Sequence, residues 1–279
     1  MRANLLREVS LLLRGAPDMS EADADAEAEK IVASTASRDT PNRERALELV
    51  RLRLEGEPLS ELLGETKFMG LTLYAEPHVF FVRKETELLG HAAVLRLQEG
   101  TSSQQRFIDV GCGAGNLACG IATAVPTALG WASDISPLCS RLTRRNVDRT
   151  MLTDRVKVFE GDLFAPFAGE GIGGTIDVVV CNPPYIATTR LETDRAHLLL
   201  HEPREAFDGG PYGLSVHQRL IKEALEYLRP GGHLIFEFGV GQERQVKILF
   251  ERSRAYDLID FVRNEAGEAR VGVGRKRAE

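Results

Sequence analysis

Cysteine is scarce in this 279-residue sequence, and apolar runs of membrane-spanning length are missing from it. The cysteines Cys112, Cys119, Cys139 and Cys181 form no Cys-x-x-Cys pair, which argues against a disulfide framework and predicts four small buried side chains in a reduced protein. A transmembrane helix needs about 20 mostly apolar residues, and residues 1–14 lack the apolar core and cleavage site of a signal peptide. We therefore expect a cytoplasmic protein with no membrane partner.

Patterns for binding metals or nucleic acids are equally sparse. His197 and His201 are spaced for one helix face, but no third ligand lies close in sequence, whereas catalytic zinc needs about three protein ligands. We expect no metal. The net charge of −6 gives no general attraction for nucleic acid. Local basic residues remain, at Arg141, Arg144, Arg145 and the 275–277 tail.

What the sequence does contain predicts a folded protein with two units. Hydrophobic residues make up 43% and charged residues 27%, which is typical of a globular protein, and the length predicts one sizeable domain with a smaller one. Apolar residues at three- and four-residue spacing predict a helical bundle over residues 1–64, with Ser20 and Thr40-Pro41 as helix-start signals. A β-hairpin linker follows at 65–84, with its turn at Ala75-Glu76-Pro77, and a large domain at 85–279. The bundle helices are predicted at 3–14, 20–34 and 42–54.

The large domain shows alternating strand and helix patterns. Such alternation predicts an α/β fold with a doubly wound, mostly parallel, Rossmann-like sheet of seven strands. The strands are predicted at 107–110, 128–133, 155–159, 178–181, 233–238, 257–262 and 269–274, and the helices at 117–124, 137–150, 215–228 and 243–254.

A glycine-rich turn follows the first of these strands. Asp109, Gly111, Gly113 and Gly115 are spaced at every second residue, where glycine lets the backbone turn sharply and approach a ligand. The dinucleotide fingerprint places its third glycine one residue later, and the Asp109 carboxylate disfavours an anionic pyrophosphate. A cofactor with a cationic sulfonium and an ammonium group suits it better, which favours S-adenosyl-L-methionine. An ordinary tight turn is the alternative.

Two further carboxylates stand at the ends of the next two strands. Asp134 is positioned to accept the hydroxyl protons of a ribose, although it also precedes a helix that Ser136 is better suited to cap. Asp162 is positioned to hold the adenine amino group, with Leu163 lying on the ring. Three carboxylates at three successive strand ends support a nucleoside-type cofactor.

Asn182-Pro183-Pro184-Tyr185 follows the fourth strand and is the most specific motif in the chain. A planar nitrogen has a delocalised lone pair and must be held to attack a sulfonium methyl. The Asn182 side-chain oxygen and the Pro183 carbonyl can accept its two protons, and the prolines offer no competing N–H. Tyr185 can pack on the flat acceptor group and exclude water. The motif predicts N-methylation of a planar nitrogen.

Taken in order, these motifs resemble the release-factor glutamine methyltransferases, the HemK or PrmC group of class I methyltransferases. The resemblance spans roughly residues 40–275 and includes Phe207-Asp208-Gly209-Gly210. It implies that the acceptor is the glutamine amide of the Gly-Gly-Gln loop of peptide-chain release factors. It further implies that Glu202 and Pro203 line the acceptor pocket, that Arg83 lies near the methionine end of the cofactor, and that the 1–64 bundle recognises the substrate.

Other acceptors remain open at this stage. Three residues around the substrate approach depart from the family pattern: Val82, Lys84 and Glu61. These departures favour a rival enzyme that acts on a small-molecule amide, guanidine or amine. Tyr212 departs from the pattern further along the chain. An exocyclic amine of a nucleic-acid base suits the same motif but not the acidic charge. An inactive cofactor-binding subunit is a third alternative, although the motif from Asn182 to Tyr185 is complete.

Overall fold

The computed structural model describes residues 2–16, 19–37, 40–77, 79, 83–100, 102–193 and 204–278, without the side chains of Ser37, Glu61 and Glu205. Within these residues the chain forms two compact units, Met1–Thr66 and Lys67–Glu279. Among the described helices, none combines the length and the apolar character that crossing a bilayer requires.

The first unit is helical, as predicted. Its helices bury a small apolar core in which Val9, Leu13 and Ile31 are fully buried. Ser20 caps the second helix by accepting a hydrogen bond from the backbone of Asp23 at 3.1 Å. The helices are α1 (Arg2–Leu13), α2 (Glu21–Ser34), α3 (Arg43–Leu54) and a short α4 (Leu59–Leu63), of which α4 was not predicted.

The predicted start signal of α3 was misplaced by two residues. Thr40–Pro41 forms a short strand, β2, that pairs with β1 (Ala36–Ser37). Asn42 caps the helix instead, because its side-chain oxygen accepts the Arg45 N–H at 3.1 Å.

The β-hairpin that follows the bundle in the sequence turns at a different place from the one predicted. Strands β3 (Glu65–Phe68) and β4 (Leu71–Tyr74) are joined by Met69 and Gly70, which have φ angles of 46° and 79°. Two successive positive φ angles are typical of the type I′ turn that suits a two-residue hairpin. The prediction at Ala75-Glu76-Pro77 was wrong because it relied on proline as a turn signal. Most of its second strand, 78–83, lies outside the described residues.

The tip of this hairpin packs against two helices, α5 (Glu87–Glu99) and α6 (Asn116–Ala124). The sequence analysis did not predict α5. A Cβ at Gly90 would lie 2.5 Å from Met69 Sδ, and one at Gly120 would lie 2.7 Å from the same atom. Glu87 accepts the Met69 N–H at 2.7 Å. The two glycines therefore make room for the methionine at the hairpin tip.

The second unit is built on the predicted seven-stranded sheet. Its strand order is β10-β11-β9-β8-β5-β6-β7, with parallel pairing from β9 through β7 and antiparallel pairing of β11 with β9 and β10. The strands are β5 (Arg106–Val110), β6 (Leu129–Asp134), β7 (Val156–Glu160), β8 (Ile176–Cys181), β9 (Leu228–Glu237), β10 (Tyr256–Arg263) and β11 (Ala269–Lys276). The remaining helices are α7 (Pro137–Arg149), α8 (Thr188–Glu192), α9 (Ser215–Tyr227) and α10 (Glu243–Ser253). The predicted α/β class and sheet are confirmed.

Both faces of the sheet are covered by apolar side chains. Phe107 and Val178 pack with residues of α5 and α6, whereas Ile108 and Val179 pack with residues of α9 and α10. Successive residues of a strand point to opposite faces, so this division means that helices cover both sides. All four cysteines are buried and free, as predicted.

The strand order also locates the crevice of the sheet. From β5 the chain moves outward through β6 to β7, then crosses back to β8 on the other side of β5 and continues to β9. Ligands of open α/β sheets bind outside the carboxyl ends of the strands where the order reverses. The site is therefore expected beyond the ends of β5 and β8.

Candidate active site

Two cavities lie at this edge of the sheet. One, of about 510 Å³, is lined by the glycine loop after β5 and by Asp134, Asp162 and Leu163; we call it the cofactor cavity. The other, of about 820 Å³, is lined by Tyr185 and residues that follow β9; we call it the acceptor cavity. Arg83, Asn182 and Pro183 line both.

The glycine loop is open toward the cofactor cavity. Gly111 and Gly113 have φ angles of 68° and 56°, and a Cβ at Gly113 would meet nothing within 4 Å. The Gly111 N–H donates to the Ser133 carbonyl at 2.8 Å, which ties the loop to β6. Gly115 instead packs against α7, where a Cβ would lie 2.7 Å from Thr143 Cγ2. Gly111 and Gly113 thus leave room for a ligand close to the backbone, whereas Gly115 is packed against protein.

Asp109 is fully buried. Its Oδ2 accepts the Ala118 N–H at 3.0 Å, and its Oδ1 has no hydrogen-bond partner among the described residues. Burial raises the pKa of this carboxyl to about 7. A buried acceptor without a donor is costly, so a bound group that supplies hydrogen-bond donors or positive charge near the loop would stabilise the ionised form.

Asp134 lies at the end of β6 with its carboxylate on the cofactor cavity. Its Oδ2 accepts the Gly113 N–H at 2.8 Å, and its Oδ1 accepts the Ser136 N–H at 2.9 Å. Burial raises the pKa of the Asp134 carboxyl. The Cys139 side chain is a third hydrogen-bond partner. A carboxylate has about four lone pairs, so Asp134 can still accept a ribose hydroxyl. Ser136 caps α7 by accepting the Cys139 N–H at 3.4 Å, as the sequence suggested.

Asp162 and Leu163 also line this cavity, on the loop after β7. Leu163 has a φ of 45°, a conformation rare for a branched side chain, and the Ser133 hydroxyl donates to its carbonyl at 2.7 Å. The Asp162 carboxylate is exposed and is held by the guanidinium of Arg219. The open glycine loop, the available lone pairs of Asp134 and the apolar Leu163 side chain fit an adenosine-bearing cofactor.

The Asn182-Pro183-Pro184-Tyr185 segment leaves the buried strand β8 and separates the two cavities. Pro184 lies on the cofactor cavity, and Tyr185 lies on the acceptor cavity. The Tyr185 carbonyl accepts the Gln242 side-chain amide at 3.1 Å. The segment predicted to hold the acceptor nitrogen therefore lies between the two places where donor and acceptor would bind.

A network of polar side chains holds Asn182 and Tyr185 of the Asn182-Pro183-Pro184-Tyr185 motif. Asn182 Nδ2 donates to the Thr86 hydroxyl at 3.1 Å, and Thr86 donates to Glu237 Oε2 at 2.9 Å. Tyr185 donates its hydroxyl to Glu237 Oε1 at 3.3 Å. Arg270 Nη2 lies 3.0 Å from the same Oε1, and its guanidinium lies 5.6 Å from the centre of the Tyr185 ring.

Thr86, Glu237, Gln242 and Arg270 were all missed by the sequence analysis. Glu237 carried a signal, since it interrupts an apolar strand between Phe236 and Phe238, and a carboxylate at a strand end had been noted three times elsewhere. Thr86, Gln242 and Arg270 had no such signal in the sequence.

The Phe207-Asp208-Gly209-Gly210 segment braces the motif. Ile186 donates its N–H to the Phe207 carbonyl at 3.0 Å and accepts the Gly209 N–H at 2.9 Å. Asp208 accepts the Thr188 hydroxyl at 2.6 Å. The guanidinium of Arg83 lies 6.0 Å from the centre of the Phe207 ring.

Some predicted residues lie outside the described residues: Glu202 and Pro203 of the acceptor site, Val82, and the His197 and His201 pair. Within the ranges that the structure describes, no cluster of three His, Cys, Asp or Glu side chains is arranged to hold a metal ion.

The fold and the paired cavities define a class I methyltransferase that uses S-adenosyl-L-methionine. A family model described as "Methyltransferase small domain" matches residues 71–212. A methyltransferase from Pyrococcus furiosus shares the fold with a TM-score of 0.53 and 18% identity, covering 75% of this chain and 90% of that one. The T. thermophilus 16S rRNA N2 G1207 methyltransferase, solved with AdoMet and guanosine, gives a TM-score of 0.55 at 19% identity over 76% of this chain and 50% of that one.

Sequence relatives narrow the class to a family. The release factor glutamine methyltransferase of Geobacter sulfurreducens is 36% identical over 227 residues, which cover 81% of this chain and 76% of the relative. That of Gloeobacter violaceus is 35% identical over 233 residues, covering 83% and 79%. The chain belongs to the release factor glutamine methyltransferase family, and the predicted resemblance is confirmed.

Proposed function

We propose that this protein methylates the side-chain amide of the glutamine in the Gly-Gly-Gln loop of a peptide-chain release factor. The observation that supports this most directly is the position of Asn182 and Pro183, which line both the cofactor cavity and the acceptor cavity. A methyl group passing from one cavity to the other would therefore pass close to this segment. The names of the relatives supply the identity of the acceptor.

The cofactor site we propose comprises Arg83, Asp109, Gly111, Gly113, Gly115, Asp134, Asp162, Leu163 and Asn182. S-adenosyl-L-methionine, when bound, supplies an electrophilic methyl group on a positively charged sulfur. Asp134 would accept ribose hydroxyl protons, and Leu163 would pack on the adenine. Gly115 acts indirectly, by letting α6 and α7 approach, and Asp109 contributes negative charge close to the loop.

The acceptor amide is held by the segment after β8. Asn182 Oδ1 and the Pro183 carbonyl each accept one N–H of the amide, which directs the nitrogen toward the cofactor cavity. The Tyr185 ring packs on the amide plane and excludes water. No strong base is required, because the nitrogen becomes more acidic as the new N–C bond forms and its proton then passes to water.

Glu202 and Pro203 complete the acceptor site in this proposal. Pro184, which the sequence analysis also placed there, lines the cofactor cavity instead. The helical bundle of residues 1–64 recognises the release factor, with 65–84 as the linker to the catalytic domain at 85–279. Because release factors act on ribosomes, the proposal also places the enzyme in the cytoplasm.

Incubation of the protein with isotopically labelled cofactor and a purified release factor tests the proposal. Peptide mass analysis is expected to find one added methyl group on the glutamine of the Gly-Gly-Gln loop. A release factor with that glutamine replaced by alanine is the matched control and should remain unlabelled. An unlabelled wild-type release factor, or label at another residue, contradicts the proposed acceptor, and turnover of a small-molecule amide under the same conditions would support the metabolite alternative.

A further inference from the structure

The hydrogen bonds behind Asn182 form a chain that ends at a buried carboxylate. Asn182 Nδ2 lies 3.1 Å from Thr86 Oγ1, which lies 2.9 Å from Glu237 Oε2. Thr86 is 1% exposed and Glu237 is 3% exposed, so water does not compete for these atoms. The direction of each bond in the chain is therefore determined by the groups themselves.

Only one direction is possible while Glu237 is ionised. A carboxylate can only accept, so the single hydroxyl proton of Thr86 must go to Glu237. Thr86 Oγ1 can then only accept from Asn182, and Nδ2 is the one atom of that amide able to donate. The consequence is that Oδ1 of Asn182 is left for a ligand.

We propose that Glu237 is a positioning residue which, acting through Thr86, fixes the orientation of the Asn182 amide so that its oxygen meets the acceptor nitrogen. This inference rests on the proposed function, in which that nitrogen is a glutamine amide. In the opposite orientation, the Asn182 amide would present its own N–H to the acceptor. That N–H would repel the N–H protons of the acceptor amide, which the Asn182 oxygen should accept.

Protonation of Glu237 reverses the chain. A protonated carboxyl donates to Thr86, Thr86 then donates to Asn182 Oδ1, and Nδ2 turns toward the ligand. Burial raises the pKa of Glu237, and its bonds to Thr86 and Arg270 oppose that rise. His217 on α9 touches the same residue, since its Nε2 lies 2.9 Å from the Glu237 carbonyl, and burial lowers the pKa of that imidazole to about 4, so it stays neutral. Tyr185 and Arg270 contact the carboxyl directly. The other charged or titratable groups that line the acceptor cavity with Glu237 are Arg83, Glu85, Arg190, Tyr212 and Glu268.

Substitutions at Thr86 separate positioning from folding. Thr86→Val keeps the shape and removes the hydroxyl, and kcat for release-factor methylation is expected to fall about tenfold or more. Because Thr86 also lines the cofactor cavity, kcat is measured at saturating cofactor. Thr86→Ser restores the hydroxyl and is expected to recover most of kcat. Thr175→Val, which removes a hydroxyl that donates to the Ile172 carbonyl away from both cavities, is the matched control. Equal kcat values for Thr86→Val and Thr86→Ser would overturn the inference.

A second measurement needs no acceptor, so it remains informative if the release factor is not the substrate. In protein labelled with ¹⁵N-asparagine, the side-chain signal of Asn182 is identified by its loss in Asn182→Ala. We expect this signal to move from its wild-type position in both Thr86→Val and Glu237→Gln, and to keep that position in Thr86→Ser. A signal that Thr86→Val leaves unmoved disproves the relay, whereas a signal that moves as expected, together with a release factor that stays unlabelled, disproves only the proposed acceptor.

Discussion

The guanidinium of Arg219 holds the carboxylate of Asp162 with two parallel hydrogen bonds, Nη1 to Oδ1 at 3.1 Å and Nη2 to Oδ2 at 2.9 Å. The pair joins α9 to the loop after β7, and both side chains line the cofactor cavity. Glu223, one turn further along α9, also accepts from Arg219, at 2.9 Å. Arg219 therefore orients a carboxylate that we assign to the adenine amino group.

Removal of Asp162 should weaken cofactor binding more than removal of Arg219. Asp162→Ala deletes the proposed adenine contact and is expected to raise the cofactor Kd about tenfold. Arg219→Ala removes only the orientation, and exposed ion pairs are worth about 0.2–1 kcal/mol, so a rise of less than about fivefold is expected. Calorimetry measures both, with Glu223→Ala as the control that should bind normally. A larger loss for Arg219→Ala than for Asp162→Ala would contradict the assignment.

Substitution of Asn182 should separate chemistry from cofactor binding. Asn182→Ala removes the acceptor that holds the amide nitrogen, and a misplaced nucleophile reduces the rate about 100-fold or more. Cofactor binding should remain measurable by calorimetry, because the glycine loop and Asp134 are untouched. Unchanged turnover in a single-turnover assay would rule out this role for the side chain.

Asp134 is expected to contribute to cofactor affinity through the ribose. Asp134→Ala should weaken binding by about 1–3 kcal/mol, the range for hydrogen bonds to charged groups. The side chain also holds Gly113 and Ser136, so a second ligand is needed to separate the two effects. Loss of the 2′-hydroxyl from an adenosine ligand should weaken binding to the wild type and matter much less in Asp134→Ala. Equal sensitivity to that hydroxyl in both proteins would place Asp134 outside the ribose site.

Asp109 should make the stability of the cofactor-free protein depend on pH. Burial raises the pKa of its carboxyl from 3.8 to about 7 in the folded protein. Between these values the folded state retains a proton that the unfolded chain has lost, so the associated stability is present at low pH and disappears as the pH rises to about 7. Asp109→Asn avoids the buried charge.

We therefore expect Asp109→Asn to raise the free energy of unfolding at pH 8, by on the order of 4 kcal/mol. The gain should shrink at pH 5, and cofactor affinity should fall in the same variant. Urea denaturation at the two pH values and calorimetry at pH 8 provide the measurements. A stability difference independent of pH would show that the carboxyl does not titrate in this range.

The sheet was predictable because its strands carry strong local signals. Seven apolar segments matched β5 to β11, and the end of β8 was placed correctly before Asn182. Strand β9 starts at Leu228 rather than 233, because it continues across Pro230-Gly231-Gly232, residue types that strands seldom contain. Local patterns thus located the elements, and errors occurred where glycine or proline stands inside or beside a strand.

The support of Asn182 was not predictable in the same way. Thr86 and Glu237 are 151 positions apart in the chain, and Arg270 comes from a third element. Their contact depends on β9 lying beside β8 and on β11 pairing with β9, which no local pattern specifies. Residues at the end of a strand or directly after it, such as Asp134 and Asn182, were found because the position itself implies the edge of the sheet.

The wall shared by the two cavities has a consequence for inhibition. Arg83, Asn182 and Pro183 face both, so a single compound that joins an adenosine group to a glutamine-like amide through a short linker can fill both at once. Once the adenosine group is bound, the linker would hold the amide near the acceptor cavity at the millimolar effective concentration typical of short linkers. Neither half would have to bind tightly alone, and a closely related enzyme with a different acceptor cavity would be spared.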